Sequence, residues 1–405
     1  FPLHRFGLEW LHPDVSLAHP LADGSALELT GGVERTASRL GTDAPAYRRL
    51  MADLPARWDE LAADILRAPL VSLPGHPVLL SRFGARAVWP ASVLLRLFRE
   101  EPARAMLAGI AAHVMAPLYS PGTGGVALMF ALAAHARGWP IARGGSQSIS
   151  DALAGYLRDL GGKITTDRRV RTLAELPTAQ AYLLDVSPTA LREIAGDRLP
   201  PGYLRRLGRY RYGPAAFKID YALDGPVPWS NESCRAAGTV HIGPSYGEIG
   251  AALTDATRGR PPRPPFLITS QPTVLDGSRA PDGKHVFWAY AHVPHAWDGD
   301  LSAEIETQIE RFAPGFRDLV LARSVHRPAD IEAHNPNCVG GDIACGSFSG
   351  PQALLRPVAT RVPYATPDPA VFLCSSATPP GPGVHGMCGY HAARVALRRR
   401  FGLPE

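Results

Sequence analysis

Apolar residues recur along this chain with two periods, and the period changes along its length. In the first third the spacing is helical. Leu50, Leu54, Trp58, Leu61 and Ile65 fall on one face, which predicts a helix with Asp43 as N-cap, Pro45 in its first turn and a kink at Pro55. Similar spacing predicts helices near 91–99, 102–115 and 124–136. Ahead of them, residues 1–42 alternate short apolar pieces with turns. Ala26, Leu27 and Leu29 beside Asp23-Gly24 predict a small hairpin.

The pattern shifts at Gly138. Ile149, Leu153, Leu157 and Leu160 line one face of a helix that Ser146 or Ser148 can cap and that Gly161-Gly162 ends. Lys163 to Thr166 and Arg169 to Leu173 read as short strands, and Ala181 to Val186 as a buried strand. Ser187-Pro188 opens the next helix. Helix, strands and helix-entering turn form part of an α/β layer. From Tyr212 to Val293 the period is two, in "AAFKIDYAL" and "KHVFWAYAHV". The proline-rich "TRGRPPRPPFLIT" predicts a loop followed by a strand. Ser302 caps a helix through Ile305, Ile309 and Phe312, stopped by Pro314. A last strand, "AVFLCSS" (370–376), leads into a glycine-rich turn and a helix from Cys388 to Arg400, with Ala392, Val395 and Ala396 inward. There are no internal repeats. The units expected are 1–137 (mainly helical), 138–200 (an α/β segment), 201–335 (mainly sheet) and 336–405 (the last strand, turn and helix).

Composition narrows the function classes. Hydrophobic residues are 45% of the 405 and charged residues 20%, enough for a sizeable core. The net charge is +5, but the basic residues are scattered, and the dense run Arg398 to Arg400 faces the negative end of the last helix. A nucleic-acid groove needs a basic stripe with aromatics, which is not readable, so nucleic acid is excluded as a partner. Five cysteines without a CxxC pair argue against a disulfide framework or a structural zinc and favour a reduced, cytoplasmic setting. The longest apolar run, Val126 to Ala134, is too short to span a bilayer. "FPLHRFGLEW" does not read as a signal peptide.

The candidate chemistry lies in "SSATPPGPGVHGMCGYHAARVAL" (375–397). Gly381, Gly383, Gly386 and Gly389 let a flat or charged group approach the main chain closely. The helix start adds free N–H groups and partial positive charge. This suits an electron-rich oxygen or nitrogen: the negative edge of a reduced flavin, or a phosphate. A plain strand–helix connection is the competing reading. Trp288, Tyr290 and His292 alternate on one face of the strand 285–293 and line a pocket, unless they are core packing. No catalytic triad, paired-carboxylate motif or metal motif is readable.

"ARGGSQSISDALAGYLRDLGGKITTDRRV" and "TPPGPGVHGMCGYHAARVAL" resemble the central and C-terminal flavin segments of phytoene-desaturase-like, amine-oxidase-type FAD-dependent oxidoreductases. "RYGPAAFKIDYAL", "HVFWAYAHVP" and "NPNCVGGDI" look like the bacterial branch related to pyridine nucleotide-disulfide oxidoreductase domain-containing protein 2. The resemblance implies an α/β (α+β overall) fold: an incomplete Rossmann-like FAD-binding domain, plus a mixed-sheet substrate domain with a helical lid. It implies FAD as cofactor, with the Val170 backbone at the adenine, Arg143 nearby, and Gly383, Val384, Gly386 and Met387 around the flavin. His385, in the same turn, relays a proton or touches the ring edge; the alternative is a hydrogen-bonded, inert side chain. The family opens with a G-x-G-x-x-G unit that holds the FAD pyrophosphate, and this sequence does not show it. "SPGTGGVAL" (120–128) is a decoy without a preceding buried strand. Three explanations stay open: the unit was cleaved or not resolved, another fragment or subunit supplies it, or the chain is a natural truncation. The expected activity is hydride transfer on a small lipophilic substrate, with peripheral membrane contact as a further expectation. The alternative is a flavin-free pseudoenzyme that binds a hydrophobic ligand or partner.

Overall fold

A computed structural model describes residues 1–67 and 73–403. In chain order the strands are β1 (Trp10–Leu11), β2 (Val15–Pro20), β3 (Ala26–Thr30), β4 (Ile141–Ala142), β5 (Tyr182–Leu184), β6 (Ala215–Leu223), β7 (Ala237–Ile242), β8 (Leu267–Ser270), β9 (His285–Val293), β10 (Val320–His326) and β11 (Val371–Leu373). Seven of them build one mixed sheet in the order β10-β6-β9-β8-β7-β2-β3. Only the β2–β7 pair is parallel. The predicted hairpin is β2–β3, closed at Asp23-Gly24, where the Ser25 amide donates to Asp23 Oδ1 at 2.9 Å.

Period-two alternation sorts the sheet's side chains between two covered faces. Phe217, Ile219 and Phe287 point to one face and pack with Ile305, Ile309 and Phe316. Leu17, Ile268, Trp288 and Tyr290 point to the other, against a helical layer that includes Tyr47, Met106, Ile110, Leu128 and Leu132. The helix predicted through Pro55 is two helices, Ala44–Met51 and Trp58–Ile65, with a 3₁₀ turn at Pro55–Arg57 between them. The glycines of "SPGTGGVAL" serve packing. A Cβ on Gly124 or Gly125 would come within 2.7 Å of the Trp89 or Ala87 carbonyl, so they let the helix Thr123–Arg137 approach its neighbour. The helix Pro77–Ala87 was missed by periodicity.

Two caps differ from expectation. Asp43 makes no side-chain cap on its own helix, where Pro45 has removed an amide. Its carboxylate accepts instead from the Arg99 and Glu100 amides at 2.9 and 2.8 Å, at the head of the helix Glu101–Ala111. Ser302 is the first residue inside its helix, and Asp300 Oδ1 takes its amide at 2.8 Å.

The region built on β5 and β11 is thinner. β5 pairs in parallel with β11, and among the described residues no strand covers its other edge. The strand predicted as buried is therefore half open: Leu184 is buried and Leu183 is 40% exposed. Ser187 caps the helix Pro188–Ala195 as predicted, accepting from the Ala190 amide at 3.2 Å. The helix Gln147–Asp159 stops at Gly161-Gly162, whose amides reach back to Arg158 and Leu157. Its leucine face is mostly uncovered: Leu153, Leu157 and Leu160 are exposed, and only Ala152 is buried. Ser146 stands at the N-cap position but makes no side-chain cap, and Ser148 Oγ donates to the Arg143 carbonyl. The strands expected at Lys163–Thr166 and Arg169–Leu173 join no ladder. Lys163, Asp167, Arg168 and Arg169 stay in solvent, and a Thr172–Glu175 capping box folds the end of the segment into a 3₁₀ turn. Among the described residues no single helix is long and apolar enough to cross a membrane; one pair, Pro77–Ala87 and Ala91–Leu97, passes together but is bent by 86°.

Candidate functional site

β11 ends at Leu373, and the chain doubles back at once. The Thr378 amide and hydroxyl both donate to the Ser375 carbonyl, at 2.8 and 2.7 Å. The turn that follows holds Gly386 at φ +64 as N-cap of the helix Met387–Phe401. That conformation is left-handed and favours glycine, and a Cβ there would meet nothing within 4 Å. The backbone from Gly383 to Gly386 lies open, and Val384 is 87% exposed. The first amide of the helix is taken: Met387 N donates to His385 Nδ1 at 3.0 Å. The next two, on Cys388 and Gly389, have no acceptor within the helix, and their end of the dipole is positive. His385 Nδ1 is thereby an acceptor, so its neutral ring carries the proton on Nε2, toward the Gly381 carbonyl. Burial holds this imidazole below its ordinary pKa, more strongly than that carbonyl raises it.

Two cavities meet at the turn. One, of about 470 Å³, is lined by Asp185, Asn337, His385, Gly386 and four cysteines, Cys338, Cys345, Cys374 and Cys388. The other, of about 770 Å³, is lined by Trp10, Ile149, Phe287, Trp288 and Val384, with Lys218, Asp220 and Arg279 at its polar side. The first is braced from below. Asn337 accepts from the Ser187 amide at 2.8 Å and donates to the Asp185 carbonyl at 3.1 Å, which ties its loop to the end of β5. Burial pushes the Asp185 carboxyl up. Asp342, buried, accepts from the amides of Gly213, Ala344 and Gly346. Arg356 is also buried, and its guanidinium donates to carbonyls: Ser376 at 3.1 Å, Gly346 at 3.3 Å, Ser347 and Gln352 at 3.4 Å.

The predicted site residues separate into groups. Gly383, Val384, His385, Gly386 and Met387 share the turn. Trp288 joins Val384 in the larger cavity. Tyr290 stacks behind Trp288 at 6.1 Å, and His292 lies beyond it at 5.7 Å, buried. Neither lines a cavity described above. Arg143 pairs with Glu9 at 2.6 Å on the surface. It stands next to Gly144, whose amide is fixed by Asp276 at 2.7 Å. Val170 packs among Leu173, Leu184 and Leu191 and lines neither cavity.

Sequence reading missed a second polar group altogether. His292 belongs with His19, His113 and His241, between the sheet and the helical layer; His113 is partly buried and the other three are buried. His113 and His241 share one hydrogen bond, Nε2 to Nε2 at 2.9 Å. Both ring nitrogens of His19 and His292, and Nδ1 of His241, make no full hydrogen bond, although the Gly243 carbonyl lies beside His19. Burial holds His19 and His113 down at about 4 and His292 at about 3; His241 is lowered by burial and then by its neighbours.

A mixed sheet against a helical layer, joined to a parallel-strand region with a glycine-rich turn heading a helix, is the architecture of the amine-oxidase-type FAD-dependent oxidoreductases. The chain superposes on a putrescine oxidase, a single-residue variant from a redesign of cofactor binding, with a TM-score of 0.57 at 15% identity, over 98% of this chain and 84% of that one. In sequence it is 27% identical to pyridine nucleotide-disulfide oxidoreductase domain-containing protein 2 of Mus musculus, over 96% of this chain and 71% of that protein. It is 24% identical to the lycopene-forming phytoene desaturase of Pseudescherichia vulneris, over 63% of this chain and 55% of that enzyme. No family model matches. The fold is thus shared with an amine oxidase, and the sequence is similar to an oxidoreductase domain-containing protein and to a phytoene desaturase, in line with the resemblance its motifs carry.

Proposed function

We propose that the chain is a FAD-dependent oxidoreductase acting on a lipophilic substrate. The observation that carries this is the bare main chain of Gly383–Gly386, set between two cavities at the head of a helix. The residues present fit a flavin. The Gly386 cradle is empty of side chains, and the free amides of Cys388 and Gly389 complement negative charge on a planar ring. When bound, such a cofactor supplies hydride-accepting chemistry. The protein's own contributions follow from its geometry. Trp288, Ile149 and Val384 offer an apolar wall for the substrate and exclude water from it. His385 is a positioning residue: it holds the Met387 amide and so sets where the helix begins. The open edge of β5 and the exposed Leu153 and Leu157 suit an added strand–turn–helix unit that completes the nucleotide site, from the same polypeptide or another.

The test is reconstitution. FAD added to the purified chain, alone and with a nucleotide-binding unit supplied in trans, should give the visible bands of bound oxidised flavin. Gly386→Glu, which places a carboxylate in the cradle, should abolish them while leaving the circular dichroism spectrum unchanged. A protein that stays colourless under both conditions is instead a flavin-free binding protein.

A further inference from the structure

Four of the five cysteines meet at one cavity although they come from three separate segments. Two of them are kept as ordinary buried thiols. Cys388 points its S–H at the Thr378 and Gly381 carbonyls, both at 3.5 Å, and burial pushes Cys374 up to about 12. The other two differ. Cys338 and Cys345 lie on one short loop, and their side chains are hydrogen-bonded to each other.

That loop is unusually constrained. Asp342 clamps it through three amides, Tyr210 Oη donates to the Cys345 carbonyl at 2.8 Å, and Cys345 itself is left-handed at φ +51. Gly340 and Gly341, also left-handed, fold the intervening chain so that both cysteines line the same cavity. Cys345 is the thiolate former of the pair. The Cys338 S–H donates to its sulfur and holds it below the ordinary thiol range against burial, helped by the Ser376 hydroxyl. The Asn337 carbonyl, 3.4 Å from the same sulfur, accepts from the protonated form, but two donors outweigh one acceptor. The same contact, followed by burial, pushes Cys338 up. A thiol held below the ordinary range and a second, proton-bearing thiol, both lining one cavity, make the arrangement of an attacking and a resolving cysteine.

We propose that Cys345 and Cys338 are a redox-active pair that a small hydroperoxide entering this cavity converts to an intramolecular disulfide. The Cys345 thiolate attacks the near peroxide oxygen. The O–O bond breaks, an alcohol or water leaves with a proton from solvent, and Cys345 becomes a sulfenic acid. The Cys338 sulfur then attacks Cys345, the S–S bond forms, the S–O bond breaks, and the hydroxyl departs as water with the Cys338 proton. Two thiols are oxidised by two electrons and one hydroperoxide is reduced. The step takes no electrons from a flavin, although the cavity is one that the glycine turn also lines.

Peptide mapping of the wild-type protein after stoichiometric hydrogen peroxide is the direct test. It should find Cys338 linked to Cys345, with the loss of two hydrogens from the intact mass and full reversal by dithiothreitol. Before oxidation, Cys345 should alkylate at pH 7 at least ~10-fold faster than Cys374 or Cys234. Cys338→Ser should stop the reaction at a sulfenic acid trapped by dimedone on Cys345, and Cys374→Ser should leave the disulfide unchanged. A linkage to Cys374 or Cys388 in the wild-type protein, or Cys345 alkylating no faster than Cys234, overturns the assignment, and neither result requires a variant to fold.

Discussion

Two of the three sheets among the described residues are built to opposite standards. The seven-stranded sheet is covered on both faces, with Phe217, Ile219 and Phe287 on one and Leu17 and Ile268 on the other, all buried. Among the described residues the β5–β11 pair exposes Leu183 and leaves one edge unpaired, and the helix Gln147–Asp159 leaves Leu153 and Leu157 in solvent. One region supports itself through its own packing. The other presents groups that are still to be satisfied: bare amides, an open strand edge and an uncovered apolar face. Stability resides in the first region and chemistry is assigned to the second, so perturbations of equal size should differ in what they damage.

Acid should separate the two most sharply. His19, His113, His241 and His292 are neutral in the sealed interface, and each binds a proton more readily in the unfolded chain. Their stabilisation is complete above about pH 6.5 and is lost as pH falls toward 4 for His19 and His113 and toward 3 for His292. By the linkage relation each of the first two costs about 3 kcal/mol by pH 4, an upper bound that is not additive within one cluster. Urea titrations at pH 7 and pH 4.5 should show that loss. The double variant His113→Gln/His241→Gln should flatten it; an unchanged pH slope would remove the cluster from the account. Next in size, Phe287→Ala should destabilise by about 3–5 kcal/mol, whereas Leu183→Ala on the open edge should cost under about 1 kcal/mol. Equal losses would erase the contrast. Gly109→Ala lies between them. It gains helix propensity but brings a Cβ to 2.8 Å from His241 Nδ1, for a net cost of about 1–2 kcal/mol in thermal unfolding. Smallest is Leu157→Glu, within about 0.5 kcal/mol of wild type. Its effect should appear instead as loss of binding to a nucleotide-binding unit supplied in trans.

What the sequence disclosed follows the same division. β6 and β9 were legible from strict alternation over nine residues each. The helix ends at Gly161-Gly162 and Ser187-Pro188 were legible because local chemistry sets them. The turn at 383–387 could be picked out because glycines ahead of an alanine-rich helix mark it. The histidine cluster could not, since its members come from three strands and a helix end and no local pattern links them. The cysteine pair was visible only as a count without a CxxC spacing. Asp43 stands at the N-cap position as read, but its side-chain partners, the Arg99 and Glu100 amides, are distant in sequence and were not legible. The strands expected at 163–173 failed because an apolar residue or two among charges does not build a ladder without a neighbour to pair with.

Arg356 bears on how the cysteine loop and the glycine turn behave together. A guanidinium cannot discharge itself, so releasing any of its carbonyls would strand a cation in the interior. It grips Gly346 and Ser347 on one side and Ser376 on the other. The two segments are bolted into one rigid body. A displacement that begins at either sulfur therefore arrives, through that strut, at the bend from which the last helix departs.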